Sequence, residues 1–412
     1  MTYRERMLAT LQGRPTDRLP FVPRLDLWYS ANRYKGTLPV RYRKASLFEI
    51  VEDLDVGFHT VSADRTLYDD SLDVVDRALG IWRVRTMPHR TTFRDVRRNI
   101  SYQGDTVVVE YLTPAGNIRT KAIYNESMRR AGISLSHVSE HAIKSAADFE
   151  AVAYLFENAE VHPCYEGIAA LKREVGERAL IVGTASMGAN AIHHILHELM
   201  PFDLFVYEYH DHYSELMRLA ERMTPYIDRV IDVAVGSPAD IIQSGTNYDV
   251  QITWPPFVGK HITPSLAETA QRCHAAGKFL LSHTDGENKG LLPYFLAGKI
   301  DIADSICPAP MTSLTLQEIM ETYAGKITVW GGIPSISVLE ESMSDYEFEA
   351  YLDDLFVRIG AGDHLILSIA DTAPPAMKFS RLERIARLAR EFGPVIPKEA
   401  PSTNDFHQGG NT

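Results

Sequence analysis

From about residue 165 the chain alternates short apolar runs with amphipathic stretches. Ala179–Thr184, Ala239–Gly245, Phe279–His283, Ile300–Ile306, Ile327–Gly331 and His364–Ser368 read as buried strands. Between them, Pro264–Ala276, Leu291–Ala297, Leu314–Tyr323 and Asp345–Ile359 carry apolar residues at helical spacing, several helices fill 188–235, and Ser380–Phe392 is a last helix. Strands alternating with helices predict a parallel α/β architecture, because each crossover between parallel strands lays a helix over the sheet.

Upstream, Thr2–Leu11 reads as a helix that Thr2 caps and that Gly13 and Pro15 end. Leu19–Trp28 (LPFVPRLDLW) reads as a strand delivering Arg24 and Asp26, Ser46–Asp53 as a helix, and Gly57–Val61 as a second short strand. Eight strands predict an α/β fold of the closed (β/α)8 TIM barrel type. The competing open doubly wound sheet lacks its turn: LDLWYSANRYKG is no G-x-G-x-x-G. Residues 68–130 break the rhythm. Asp105–Leu112, the turn at Pro114–Asn117 and Ile118–Tyr124 predict a β-hairpin, so this stretch is expected as an insertion lobe over one barrel mouth. Residues 1–399 then form one barrel including that lobe, and the polar, Gly-rich 400–412 a flexible tail.

Composition narrows the function without naming it. A net charge of −12 argues against a nucleic-acid partner, which calls for a basic surface. The three cysteines, Cys164, Cys273 and Cys307, are too few and too scattered for a disulfide framework. With neither a signal-peptide pattern nor a membrane-length apolar run, a cytoplasmic protein is expected.

In such barrels the chemistry sits at the C-terminal ends of the strands. The polar residues there are Arg24 and Asp26; His59 and Ser62; Thr184 and Ser186; Ser244, Asn247 and Asp249; His283, Asp285 and Glu287; Asp304 and Cys307; Trp330 with Gly331-Gly332; and Ser368 and Asp371. LLSHTDGENKG is the richest of these segments. His283 and Asp285, two apart on extended backbone, can point the same way and suit two ligands of one zinc ion, with Cys307 or Asp371 as a third. Alternatively, His283 hydrogen-bonds across the mouth and Asp285 caps the next helix. Cys307 could equally be a nucleophile or a small buried apolar residue. The HHILH cluster, His193, His194 and His197, lacks the Glu of H-E-x-x-H and reads as the polar face of a helix.

The opening TYRERMLATLQGRPTDRLPFVPRLDLWY, the HTDG segment, VWGGI and the TPAGNI hairpin together resemble the uroporphyrinogen decarboxylase superfamily, over Thr2 to about Phe392. The resemblance implies either cofactor-free decarboxylation or zinc-dependent methyl transfer involving a corrinoid protein. The decarboxylases' R-Q-A-G-R segment is absent; the region has Arg24 and Arg33 and is aromatic, with Trp28 and Tyr29. The corrinoid-linked methyltransferase branch is therefore favoured, with VPRLDLWYSA similar to enzymes that demethylate methoxylated aromatics. Asp285 and Asp371 stand where thiol methyltransferases use cysteines. Carboxylates make a harder site, better suited to an ether oxygen than to a thiol.

The expected activity is thus metal-assisted transfer of a methyl group from a small O-methylated, methoxyaromatic-type donor to cobalamin on a partner corrinoid protein. His283, Asp285, Cys307 and Asp371 are the candidate metal ligands. Asp26 or Glu287 is the expected general acid, and Arg24, Trp28, Tyr29, Asn247 and Trp330 are the expected substrate contacts. No D-x-H-x-x-G segment is present to bind a corrinoid in this chain. The sequence leaves a homodimer open. The alternative is a metal-independent decarboxylase of an acidic, uroporphyrinogen-like substrate, with Arg24 and Arg33 clamping carboxylates.

Overall fold

The computed structural model describes residues 1–61, 74–133 and 135–397. The chain is mixed α/β. Six parallel strands form one sheet: β7 (Val182–Ser186), β8 (Ile241–Thr246), β9 (Phe279–His283), β10 (Ile302–Ile306), β11 (Thr328–Pro334) and β12 (Leu365–Ala370), neighbours in chain order. Strands β8, β10, β11 and β12 are buried along their whole length, as expected of parallel strands covered on both faces. Helices follow the strands, among them Thr263–Ala275, Leu316–Tyr323, Asp345–Arg358 and Phe379–Glu391.

The regular ladder therefore counts six strands, not the eight expected of a barrel. Leu19–Trp28 is no strand. Pro20 and Pro23 withhold two N–H donors, and only Phe21 forms a bridge, parallel to Leu367. From Asp26 the chain is already helical, to Lys35, with Trp28, Tyr29 and Ala31 buried on one side and Gly36 ending it in the left-handed conformation. Gly57–Val61 also lacks a ladder. It bonds singly, Gly57 N–H to Phe21 O (3.0 Å) and Phe58 N–H to Arg178 O (3.0 Å). The Thr60 hydroxyl donates to Leu180 O and accepts from Val182 N–H, so a side chain replaces backbone pairing. These bonds link segment 20–22, beside β12, to segment 57–60, beside β7.

The expected hairpin is present. β3 (Thr106–Thr113) pairs antiparallel with β4 (Gly116–Ile123), within a four-stranded sheet completed by β2 (Arg97–Gln103) and β5 (His137–Glu140). A separate antiparallel pair joins β1 (His89–Phe93) to β6 (Ala159–Pro163). The antiparallel part therefore continues well past residue 130. Residues 68–73 of the expected insertion and the expected tail, 400–412, lie outside the described residues, as does Ser62. Among the described residues, no helix is long and apolar enough to cross a membrane.

The lobe is fastened by charge. Asp76 is fully buried, and its carboxylate accepts from Arg83, from Arg98 on β2 and from the Tyr111 hydroxyl on β3. Arg77 pairs with Glu198, the residue after HHILH on the same helical segment. The histidines of that helix do not form a solvated face. His193 and His194 are buried: His194 Nε2 meets Leu79 O at 2.9 Å, and His193 Nδ1 accepts from Ala189 N–H at 3.0 Å. The helix packs between sheet and lobe, so its polar side chains become interior groups.

Candidate active site

The site lies at the C-terminal ends of the parallel strands, where the chain leaves regular pairing. β9 ends at His283, and the next turn carries Asp285 and Gly286. Gly286 has φ +94°, and a Cβ there would sit 2.7 Å from Tyr248 O, so this turn requires glycine. On β10 the register against β11 shifts between Asp304 and Ile306, a bulge with Ser305 at φ +60°. Opposite it, a Cβ on Gly331 would lie 2.6 Å from Ile306 O. The glycine of VWGGI thus allows the bulge, and the bulge aims Asp304 and Ser305 at neighbouring strand ends.

His283, Asp285 and Asp371 come together, one ligand atom of each within 4.8 Å of the others. His283 Nε2 lies 3.6 Å from Asp285 Oδ1 and 3.5 Å from Asp371 Oδ1. Its other nitrogen, Nδ1, is held by Asp304 Oδ2 at 2.7 Å. Asp304 is buried, accepts a further bond from Ser305 Oγ, and has His59 Nε2 3.7 Å from its second oxygen. Asp371 Oδ1 accepts from Arg24 Nη1 (2.8 Å) and Ser305 Oγ (2.8 Å). Arg24 Nε turns back to Asp26 at 3.1 Å.

These contacts set the protonation states. Burial opposes charge on His283, but Asp285, the bond to Asp304 and Asp371 outweigh it and push the imidazole up to about 9. Burial raises the Asp285 carboxyl, only partly offset by His283. Burial also works to raise Asp371, but Arg24 and His283 bring it below the usual carboxylate range. Asp304 is held well below that range, the bond from His283 and the nearby His59 overcoming its burial.

The donor set fits a divalent metal ion. Asp285 Oδ1 is buried with no hydrogen-bond partner, which a buried carboxylate oxygen rarely tolerates. Asp304 fixes His283 with Nε2 facing the two carboxylates, the usual support of a ligating imidazole. One imidazole and two carboxylates suit a borderline or hard cation.

A cavity of about 210 Å³ opens over this cluster. Its floor is polar: Arg24, Thr184, Gln243, Asn247, His283, Asp285 and Asp371. Its wall is apolar: Trp82, Val84 and Met87 cluster with Leu135 and Met187. Asn247, at φ +55°, reaches the rim on a backbone turn tied by its N–H to His283 O.

The other expected site residues lie elsewhere. Trp28 is buried, its ring stacked on Phe379 at 5.3 Å. Tyr29 is buried too and donates to Ala45 O. Both serve the packing of their helix rather than the cavity, because the segment expected as a strand is a helix. Trp330 fills the interior, donating to Val22 O with its ring 4.8 Å from His59. Cys307 is close to the acidic cluster, but its sulfur meets Met311 Sδ at 3.5 Å and Ala370 O at 3.9 Å, and burial first, then Asp371 and Asp285, pushes its thiol up to about 12. Glu287 accepts from the N–H groups of Ser313 and Lys289; although burial raises it, these bonds leave it below its ordinary value. Asp26 sits behind Arg24, off the cavity lining. Arg33 is exposed, over the Tyr29 ring.

Sequence reasoning gave Asp304 no role as support for His283, and it missed the whole apolar wall. The bulge against Gly331-Gly332 is the signal that could have singled out Asp304. The wall residues come from irregular chain and carry no periodic signal.

No protein-family model matches the chain, and no curated protein matches it. Among solved structures it is similar to a methyltransferase from Methanosarcina mazei, at 13% identity and a TM-score of 0.54 over 95% of this chain and 98% of that one. At this identity the likeness is one of fold.

Proposed function

We propose that the protein transfers a methyl group from a small O-methylated compound, methoxylated aromatics foremost, to a corrinoid carried by a partner protein. His283, Asp285 and Asp371 would hold a divalent ion, zinc being the first candidate. The buried, unpartnered Asp285 oxygen facing His283 Nε2 carries this reading. The fold-level likeness to a methyltransferase supports it, and the six-stranded sheet with its two hydrogen-bonded edge segments would work as one barrel.

When bound, such an ion supplies Lewis acidity at an ether oxygen. The chain's own residues do the rest. Asp304 orients His283, and Arg24 with Ser305 fixes Asp371. Trp82, Val84, Met87, Leu135 and Met187 exclude water from the methyl group, which must meet its acceptor in line. The acceptor's electron pair forms the new bond to the methyl carbon as the O–CH3 bond breaks with its own pair left on oxygen, and that oxygen takes a proton from water. The decarboxylase reading gains less support: Arg24 already serves Asp26 and Asp371, and Arg33 lies on the outer surface.

The test is metal analysis of the purified chain with an assay of methyl delivery from 2-methoxyphenol to cob(I)alamin. Near-stoichiometric metal and turnover should both vanish in His283→Ala. Full activity of that variant without bound metal would overturn the proposal.

A further inference from the structure

Taking the methyl-transfer reading as its basis, we infer that the cavity selects an uncharged single-ring methoxy compound, reads its second polar group through Gln243 and Asn247, and rejects carboxylated analogues. Size is the first argument. A cavity of about 150 Å³ already accommodates benzene, so about 210 Å³ gives room for one substituted ring. The wall of Trp82, Val84, Met87, Leu135 and Met187 offers that ring an aromatic face and two adaptable thioethers.

The second argument is hydrogen bonding. The Thr184 hydroxyl donates to Gln243 Oε1, which fixes that amide and leaves its Nε2 facing the cavity without a protein partner among the described residues. The Asn247 side chain, on the same lining, is also unpartnered there. Two free amides beside a closed cluster can receive a hydroxyl or carbonyl oxygen.

Charge is the third argument. Asp285, Asp304 and Asp371 surround His283 at the inner end of the cavity, with Arg24 beside Asp371. Arg24, the cation on the lining that could receive a carboxylate, already bonds two. A carboxylated substrate would lose its hydration and meet like charge in a buried site.

The test is calorimetric binding to the full chain with three probes: 2-methoxyphenol, methoxybenzene and 3-methoxybenzoate. The phenol should bind at least tenfold more tightly than the benzoate. Gln243→Leu should erase the preference for the phenol over methoxybenzene while methoxybenzene still binds, which also shows that the variant folds. If it does not fold, the wild-type comparison of phenol with benzoate decides alone. Equal or tighter binding of the benzoate, or an unchanged phenol preference in Gln243→Leu, would overturn the inference. Methyl delivery is scored separately. Selective binding with no methyl release would remove the methyl-transfer reading and leave this inference standing, whereas methyl release from the benzoate would do the reverse.

Discussion

Asp76 and Asp285 are both carboxylates in the interior, yet their surroundings differ in kind. Asp76 is saturated: two arginines and a tyrosine hydroxyl occupy both its oxygens. Asp285 has one oxygen with no hydrogen-bond partner, facing an imidazole 3.6 Å away. A saturated buried charge stitches elements together, here the lobe to itself. An unsaturated one is costly unless a ligand completes it, which is the role proposed for a metal ion at Asp285.

The comparison can be broken in order of effect. Asp76→Ala should destabilise the fold by about 3 kcal/mol, the low end for a broken buried pair because Arg83 and Arg98 keep partial contact with water. Chemical denaturation measures it, and a loss below 1 kcal/mol would deny Asp76 its fastening role. Asp285→Asn should behave oppositely, with stability unchanged or raised while metal content falls. A strongly destabilised Asp285→Asn with normal metal content would erase the distinction. Asp304→Asn should weaken metal binding about 10–100-fold without loss of fold, since it alters the support of His283 and not a ligand. Titration with a fluorescent zinc competitor reads this directly.

The smallest effect concerns pH. Burial, aided by Arg90, lowers His89 to about 4, so the unfolded chain takes up its proton first. Its contribution is complete above about pH 6.5 and is lost as pH falls toward 4, roughly 2 kcal/mol of it by pH 5. His193 and His194, lowered by burial in the same way, add to the trend. Melting temperature should therefore drop between pH 7 and 5, and His89→Gln should blunt the drop.

Much of the floor was legible in the sequence, and little of the wall. His283, Asp285, Asp371 and Asn247 lie at or just beyond the ends of buried strands, so the pattern that marks the strand also marks its end. Trp28 and Tyr29 misled because Pro20 and Pro23 prevent a ladder while the residues from Asp26 carry helical spacing, and a helix turns both rings inward. Glu287 misled because proximity in sequence does not fix direction: its turn points it at backbone N–H groups. Trp82, Met87, Leu135 and Met187 meet only through tertiary packing of irregular segments, and no local period records that.

The apolar wall and the acidic floor come from different stretches of chain. Apart from Arg24, the floor groups sit on the parallel strands or just after them, whereas the wall is drawn from 82–87, Leu135 and Met187. Replacements in the wall leave the hydrogen bonds around His283 and Asp371 untouched. The range of compounds admitted can therefore drift over evolutionary time, or be redirected by mutagenesis of five positions, while the reactive centre is inherited intact.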